Sequence, residues 1–306
     1  MNTNEIHNLP PESPEILALS HKFADANYTG IEIVSDYMKQ YKDLIIKLPS
    51  KPASAKRDDA LKALWTRAYA WILSLRTLKQ TAHYQAISTA SRTLLETTVD
   101  ILFLYADKTD KTAEKMFAFA FSEQFKAAEQ IVNFFKENDE TLPDEYVEQQ
   151  KFYKSQLPNI QMFRNTYWQT PKQKQKQVNA EHPNRWTGQD LGSDVRKIDK
   201  ICGEIIKRNL NISLGRFYRT EYRRINWHIH AGLASLHSRT GKKMPAETYD
   251  ITVGISLRWC ADFAFFCTQI VLTDFQYTVA ISDLSDEWKR LQNYRNKVWI
   301  GIMDKD

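Results

Sequence analysis

Apolar residues that recur every three or four positions, over stretches of about twenty residues, are what most restrict the fold of this chain. Between Arg57 and Lys79 they are Leu61, Leu64, Trp65, Ala68, Trp71, Ile72 and Leu75, a broad stripe along one side of a helix. Ile31, Ile33, Val34, Met38, Tyr41, Ile45 and Ile46 repeat the pattern ahead of Pro49-Ser-Lys-Pro52. Helix breakers are scarce, with nine glycines and ten prolines in 306 residues, many of them bunched. Hydrophobic residues make up 42% of the chain and aromatics 12%, ample for a packed core. The expectation is an all-α fold, one helical-bundle domain of about eight or nine helices over residues 13–306, preceded by a flexible tail at 1–12 that contains Pro10-Pro11.

In chain order, Ser13-Pro14-Glu15 opens a first helix, or a broken pair, that runs to about Leu48. A helix over Tyr84–Ala106 carries Arg92 and Glu96, and apolar residues surround its second half from Val99, so it should be central. Asp107 to Asp110 forms a short polar turn. The next helix, Thr112–Lys136, bears Met116, Phe117, Phe119, Phe121, Phe125, Ile131, Val132, Phe134 and Phe135, which read most simply as core. Another spans Asp144 to about Tyr167, with a break expected at Leu157-Pro158. A polar loop is expected near 168–192, where Pro171-Lys-Gln-Lys-Gln-Lys-Gln177 is either a solvated linker or a contact for RNA phosphates. The Trp and Gly of Arg185-Trp186-Thr-Gly188 look fitted to a defined turn, and Ser193 or Asp194 should cap a helix from Val195 to Leu210.

Near the C-terminus, Tyr249–Phe275 is the most apolar stretch. Arg258, Asp262 and Gln269 interrupt it, whereas a membrane span needs about 20 mainly apolar residues, so it reads as a buried helix. A last amphipathic helix, Ser285–Ile300, puts Trp288, Leu291, Tyr294 and Val298 on a shared side. The first residues lack the basic start and apolar run of a signal peptide. Cys202, Cys260 and Cys267 show no metal-ligand spacing, and the last two stand about 10 Å apart on a helix, too far to bridge. A reduced, cytoplasmic protein without a membrane, metal or cofactor is expected. The net charge of +5 sets 42 basic against 37 acidic residues, too mild to identify a nucleic-acid binder. Glycine-rich phosphate loops, the Gly-x-Ser-x-Gly elbow and the His-Glu-x-x-His zinc helix do not occur.

Groups capable of chemistry crowd into one stretch, an expected helix over Leu214–His237 centred on Tyr222-Arg-Arg-Ile-Asn-Trp-His-Ile-His230. At about 100° per residue, Arg219, Arg223, Asn226 and His230 share a narrow sector bordered by Tyr222, while His228 points about 160° away from His230. The two histidines cannot serve one site from a straight helix.

An Arg followed after four to six residues by a His, on a helix of an all-helical chain, resembles the HEPN ribonucleases. Arg223 with His228, Arg224 with His230 and Arg223 with His230 all satisfy it, and only the last pair shares a face. Tyr222, Ile225-Asn226 and Ile229-His230, together with Ser91-Arg92-Thr-Leu-Leu-Glu96 and Arg185-Trp186-Thr-Gly188, also resemble a HEPN-like bacterial family, domain-of-unknown-function family five-six-seven-seven. These landmarks span about half the chain. Asn226 stands where members of that family often carry Ser.

The resemblance implies a metal-independent endoribonuclease or RNA-targeting effector, in a toxin or phage-defence setting. It also implies a homodimer whose motif helices form a composite cleft, and leaves room for a regulatory or antitoxin partner. His230 would transfer the proton, Arg223 would stabilise charge on the phosphate, and Asn226 would hold the scissile group or orient His230. Arg219, Tyr222, Arg92 and Glu96 would extend or border the anion site. Against this stands a plainer reading in which the histidine is structural, Arg92 and Glu96 are a buried ion pair, and the chain is a non-catalytic helical module that binds a nucleotide, peptide or partner protein.

Overall fold

The computed structural model describes residues 14–50, 54–78, 83–222, 246–276 and 282–303. The tail expected at 1–12 lies outside the described residues. Among those described, every regular element is helical, and the all-α expectation holds. The helices are α1 (Pro14–Lys47), α2 (Ala55–Leu75), α3 (Tyr84–Ala106), α4 (Lys111–Glu137), α5 (Asp144–Ser155), α6 (Leu157–Trp168), α7 (Pro171–Gln175), α8 (Leu191–Leu210), α9 (Leu214–Phe217), α10 (Ala246–Asp274) and α11 (Ser282–Met303). A π-helical turn, Tyr218–Tyr222, continues α9.

The eleven α-helices among the described residues exceed the expected eight or nine, and local chemistry accounts for the excess. The stretch from Asp144 to Trp168 divides at Gln156, because Pro158 in the first turn of α6 cannot continue the preceding ladder. The expected loop near 168–192 contains α7. Its start is a capping box in which Gln173 N donates to Thr170 Oγ1 at 3.2 Å and Thr170 N donates to Gln173 Oε1 at 2.9 Å. Helix α8 begins at Leu191, and its cap is Asp190 rather than Ser193 or Asp194: Ser193 N and Ser193 Oγ each donate to the Asp190 carboxylate at 2.9 Å.

By its internal contacts the chain divides into two compact units. The described residues of Met1–Lys51, Asp58–Ala106 and Val195–Asp306 form one, and those of Pro52–Arg57 and Asp107–Asp194 the other.

In the first unit α10 packs along α1 and α3, and α11 packs on α1. Ile16 and Phe23 of α1 meet Ile251 and Ile255 of α10 and Val298 and Ile302 of α11 in one apolar cluster. Each such side chain, fully buried, contributes about 1.5–3 kcal/mol before the cost of ordering it. Two buried polar pairs tie separate helices together. Trp65 Nε1 of α2 donates to Thr268 Oγ1 at 3.0 Å, and Thr98 Oγ1 lies 3.2 Å from Cys267 Sγ. As expected, α3 is central, with Leu94, Leu95, Val99, Ile101, Leu102 and Leu104 buried. The greasy helix is buried too: Asp250–Asp274 is long and apolar enough to cross a membrane by length and composition, and 72% of its most apolar window is covered by the fold.

Two expected core positions differ. Ile46 is exposed, and so is Tyr294, whose neighbour Arg295 is fully buried instead. The Arg295 guanidinium lies 3.6 Å from Asp262 and 5.1 Å from the centre of the Trp288 ring. Burial pushes its pKa down to about 10 against the pull of Asp262, so it stays charged at neutral pH. Gln292 Nε2 donates to the same Asp262 oxygen at 2.9 Å. Room for the guanidinium comes from Gly30, where any Cβ would run into Arg295 Nη2.

In the second unit α5 and α6 fold back on α4. Of the aromatic run expected as core, Phe125 is buried and Phe117 and Phe134 are exposed; the other residues that α4 buries are Ala113, Ala118, Ser122 and Ala128. Rings of α4 meet α5 at its edge: Phe121 lies 6.0 Å from Tyr153 and Phe135 6.1 Å from Tyr146, centre to centre. Ahead of α4, Asp107 receives Thr109 N at 2.9 Å, Thr109 Oγ1 at 2.7 Å, Thr112 N at 2.9 Å and Thr112 Oγ1 at 2.6 Å. Partial burial alone would raise its pKa, but the Thr112 and Thr109 bonds outweigh that and hold it at about 2.

Two stability predictions follow from these contacts. Gly30→Ala should cost about 1–3 kcal/mol in urea unfolding, because the buried guanidinium has nowhere to retreat, and an unchanged midpoint would show that Arg295 does not stand over Gly30. For Asp107 the folded pKa lies below the unfolded one, so its stabilisation is present above the ordinary aspartate value of 3.8 and is lost as pH falls toward about 2. Asp107→Asn should therefore flatten the acid limb of stability in that window, which thermal melts across pH will read.

Candidate functional site

The expected helix at Leu214 starts where predicted, and three separate contacts fix that start. Ser213 Oγ accepts from Arg216 N at 3.1 Å. From α8, Asp199 takes the two preceding amides, Leu214 N at 2.9 Å and Gly215 N at 2.7 Å. These are N–H groups that a helix leaves without internal partners, and a carboxylate there also suits the positive end of the backbone dipoles. Gly215 permits the approach, since a Cβ on it would lie 2.8 Å from Asp199 Oδ2. Phe217 then packs edge-on against Trp259 and Phe263 of α10, with ring centres 4.6 and 5.0 Å away.

Beyond Phe217 the chain is not a regular α-helix. Tyr218–Tyr222 is a π turn, and the Tyr218 and Tyr222 rings stack with centres 4.9 Å apart. A π turn bonds each residue to the fifth rather than the fourth, so the 100° spacing that aligned Arg219 with later residues does not carry through it. Arg219 is exposed and turns its Nε back to the Gly215 carbonyl at 3.3 Å.

Tyr222, Arg92 and Glu96 do come together. Arg92 Nε donates to Glu96 Oε1 at 3.0 Å across one turn of α3, and Tyr222 OH donates to the same oxygen at 3.1 Å. The Arg92 guanidinium stands 5.8 Å from the centre of the Tyr222 ring. Tyr222 is buried, whereas the Arg92 and Glu96 side chains keep 33% and 28% of their surface. Burial would lower the Arg92 pKa, but the Glu96 hydrogen bond and the Tyr222 and Glu96 charges outweigh it and leave it raised. The group is a fixed cation beside a carboxylate, reachable from solvent.

Arg223, Asn226, His228 and His230 lie outside the described residues, so the structure tests neither their shared face nor their surroundings.

The third landmark, Arg185–Gly188, lies in the other unit and is a turn held by its own contacts. Arg185 Nε and Thr187 Oγ1 each donate to Asp194 Oδ2 at 2.9 Å, and Lys115 Nζ donates to the Thr187 carbonyl at 3.0 Å. Burial pushes the Asp194 carboxyl up, against those donors. Trp168 Nε1 donates to the Trp186 carbonyl at 2.8 Å, and Gly188 takes φ 77°, a left-handed conformation that disfavours other residues. Sequence reasoning missed Asp199, the residue that caps the motif helix; Ser213-Leu-Gly215 is a legible cap signal, but nothing in it names a partner on α8.

The Arg92–Glu96–Tyr222 cluster makes a measurable claim. Tyr222→Phe should cost about 1 kcal/mol in chemical unfolding, and the double-mutant cycle with Glu96→Ala should give a coupling of about 0.5–1.5 kcal/mol. Strict additivity of the two substitutions would mean that the Tyr222–Glu96 bond does not form in solution.

No curated protein and no solved structure matches the chain. A family model does, over residues 58–247, which is more than half of the 306 and includes Ser91–Glu96, Arg185–Gly188 and Tyr222–His230. The chain belongs to this family, the family of unknown function (DUF5677).

Proposed function

We propose that the chain is a metal-independent endoribonuclease, or an RNA-targeting effector, of HEPN type. The observation that supports it most is that Tyr222, the residue before Arg223, is tied to the Arg92–Glu96 pair. Two sequence landmarks thus meet at one place, directly ahead in sequence of the Arg and His residues that the chemistry needs.

In this reading the 2′-oxygen of a ribose attacks the adjacent phosphorus, a new P–O bond forms, and the bond to the leaving 5′-oxygen breaks. His230 handles the proton that the 2′-hydroxyl loses and the leaving oxygen gains. Arg223 holds the charge that develops on the phosphate, and Asn226 orients the scissile group or His230. Arg92 and Glu96 border the site. A homodimer would bring two motif helices to a composite cleft, and a toxin or phage-defence role, with a regulatory or antitoxin partner in the cytoplasm, is the setting the family resemblance implies.

Purified protein incubated with total RNA in EDTA should leave 2′,3′-cyclic phosphate ends. Arg223→Ala and His230→Ala should each lower the rate by roughly 10²- to 10⁴-fold at unchanged melting temperature, and His228→Ala should keep activity. RNA that stays intact at high protein concentration would sink the nuclease reading. An inactive His228→Ala beside an active His230→Ala would move the chemistry to the face of Arg224 and His228. Light scattering that finds only monomers at micromolar concentration would remove the composite cleft.

A further inference from the structure

In the second unit, α4 presents Phe117 and Phe121 one turn apart, and α6 presents Phe163 and Tyr167 one turn apart. The four rings line a cavity of about 700 Å³, within the range of small-molecule sites. Carboxamides of Gln124, Gln156 and Asn159 belong to the same lining. Asn159 Nδ2 donates to Gln156 Oε1 at 2.9 Å, which leaves the Asn159 oxygen as an acceptor. Tyr153 OH donates to Gln124 Oε1 at 3.3 Å, which leaves the Gln124 amide as a donor. The charged groups of the lining cancel, since Lys56 Nζ lies 2.7 Å from Glu114 Oε1.

We propose that this cavity binds a nucleobase. Flat aromatic walls offer stacking to any planar ring, and carboxamides with one donor and one acceptor to spare match the hydrogen-bonding edge of a base. An aliphatic or acyl ligand would use the walls but leave the amides unanswered. Because the lining has no net charge, the base is recognised and its phosphate is not. None of these residues belongs to the Arg92–Glu96–Tyr222 cluster, so the proposal stands apart from the nuclease reading.

The test titrates the full chain with the four ribonucleosides, their 5′-monophosphates, inorganic phosphate and a short single-stranded RNA, followed by calorimetry. At least one nucleoside should saturate one site, its monophosphate should bind equally well, and added salt should change little. Phe117→Ala should weaken binding about 10-fold or more, and Ala120→Trp, which fills the cavity, should abolish it. Phe117 and Ala120 are exposed, so the melting temperature should hold. RNA that binds tighter and is lost in the same variants identifies a strand as the source of the base; RNA no tighter than the nucleoside identifies the free compound. No saturation up to millimolar nucleoside, binding that survives Ala120→Trp, or competition by inorganic phosphate would each overturn the assignment.

Discussion

A helix without a polar face has to be covered on every side, and α10 is such a helix: from Asp250 to Leu257 no residue is open to solvent. Much of the first unit follows from that requirement. α1 and α3 cover it along their length, α2 contributes Trp65, and α9 contributes Phe217. The motif segment therefore begins on the central scaffold, because the aromatic patch that receives Phe217 is itself part of α10. Apolar cover alone would tolerate several registers, since one greasy ridge resembles another.

Polar groups remove that freedom. The Arg295 guanidinium meets Asp262 in the interior, and Gly30 is the gap that admits it. Sliding α11 by one turn, about 5.4 Å, would strand the cation inside. A buried pair of this kind adds little net stability, because desolvation offsets the attraction, but it penalises every alternative alignment. Trp65 with Thr268, far apart in sequence, does the same for α2.

What could be read from the sequence follows the range of the forces involved. Periodicity is local, so α3 was bounded correctly at Tyr84 and Ala106, and the broken helix at Pro158 was foreseen. Burial is not local. The rings of α4 looked like core because Phe usually is, yet apart from Phe125 the helix buries the small Ala113, Ala118, Ser122 and Ala128, and which side of a helix is covered depends on its neighbours. Tyr294 and Arg295 changed places for a related reason: no rule of composition buries an arginine, and the glycine that makes room lies on α1. At the site, Arg92 with Glu96 was legible as a pair four apart on one helix. Its closure by Tyr222 joins residues 126 apart and was foreseen only as a shared landmark. The π turn had no local signature at all.

That turn is where fold and site meet. π-helical geometry persists where surroundings over-determine it, and here they do so from both ends. Asp199 and Phe217 fix the start, while Glu96 holds Tyr222 at the finish, with Tyr218 stacked between. The charge balance narrows the role of the cluster further. Glu96 already compensates Arg92 at 3.0 Å, so the pair offers a phosphate little net attraction by itself. In the nuclease reading the anion must then be held chiefly by Arg223, and the contribution of Arg92 and Glu96 is positional: they fix Tyr222, the residue directly ahead of Arg223 in the sequence.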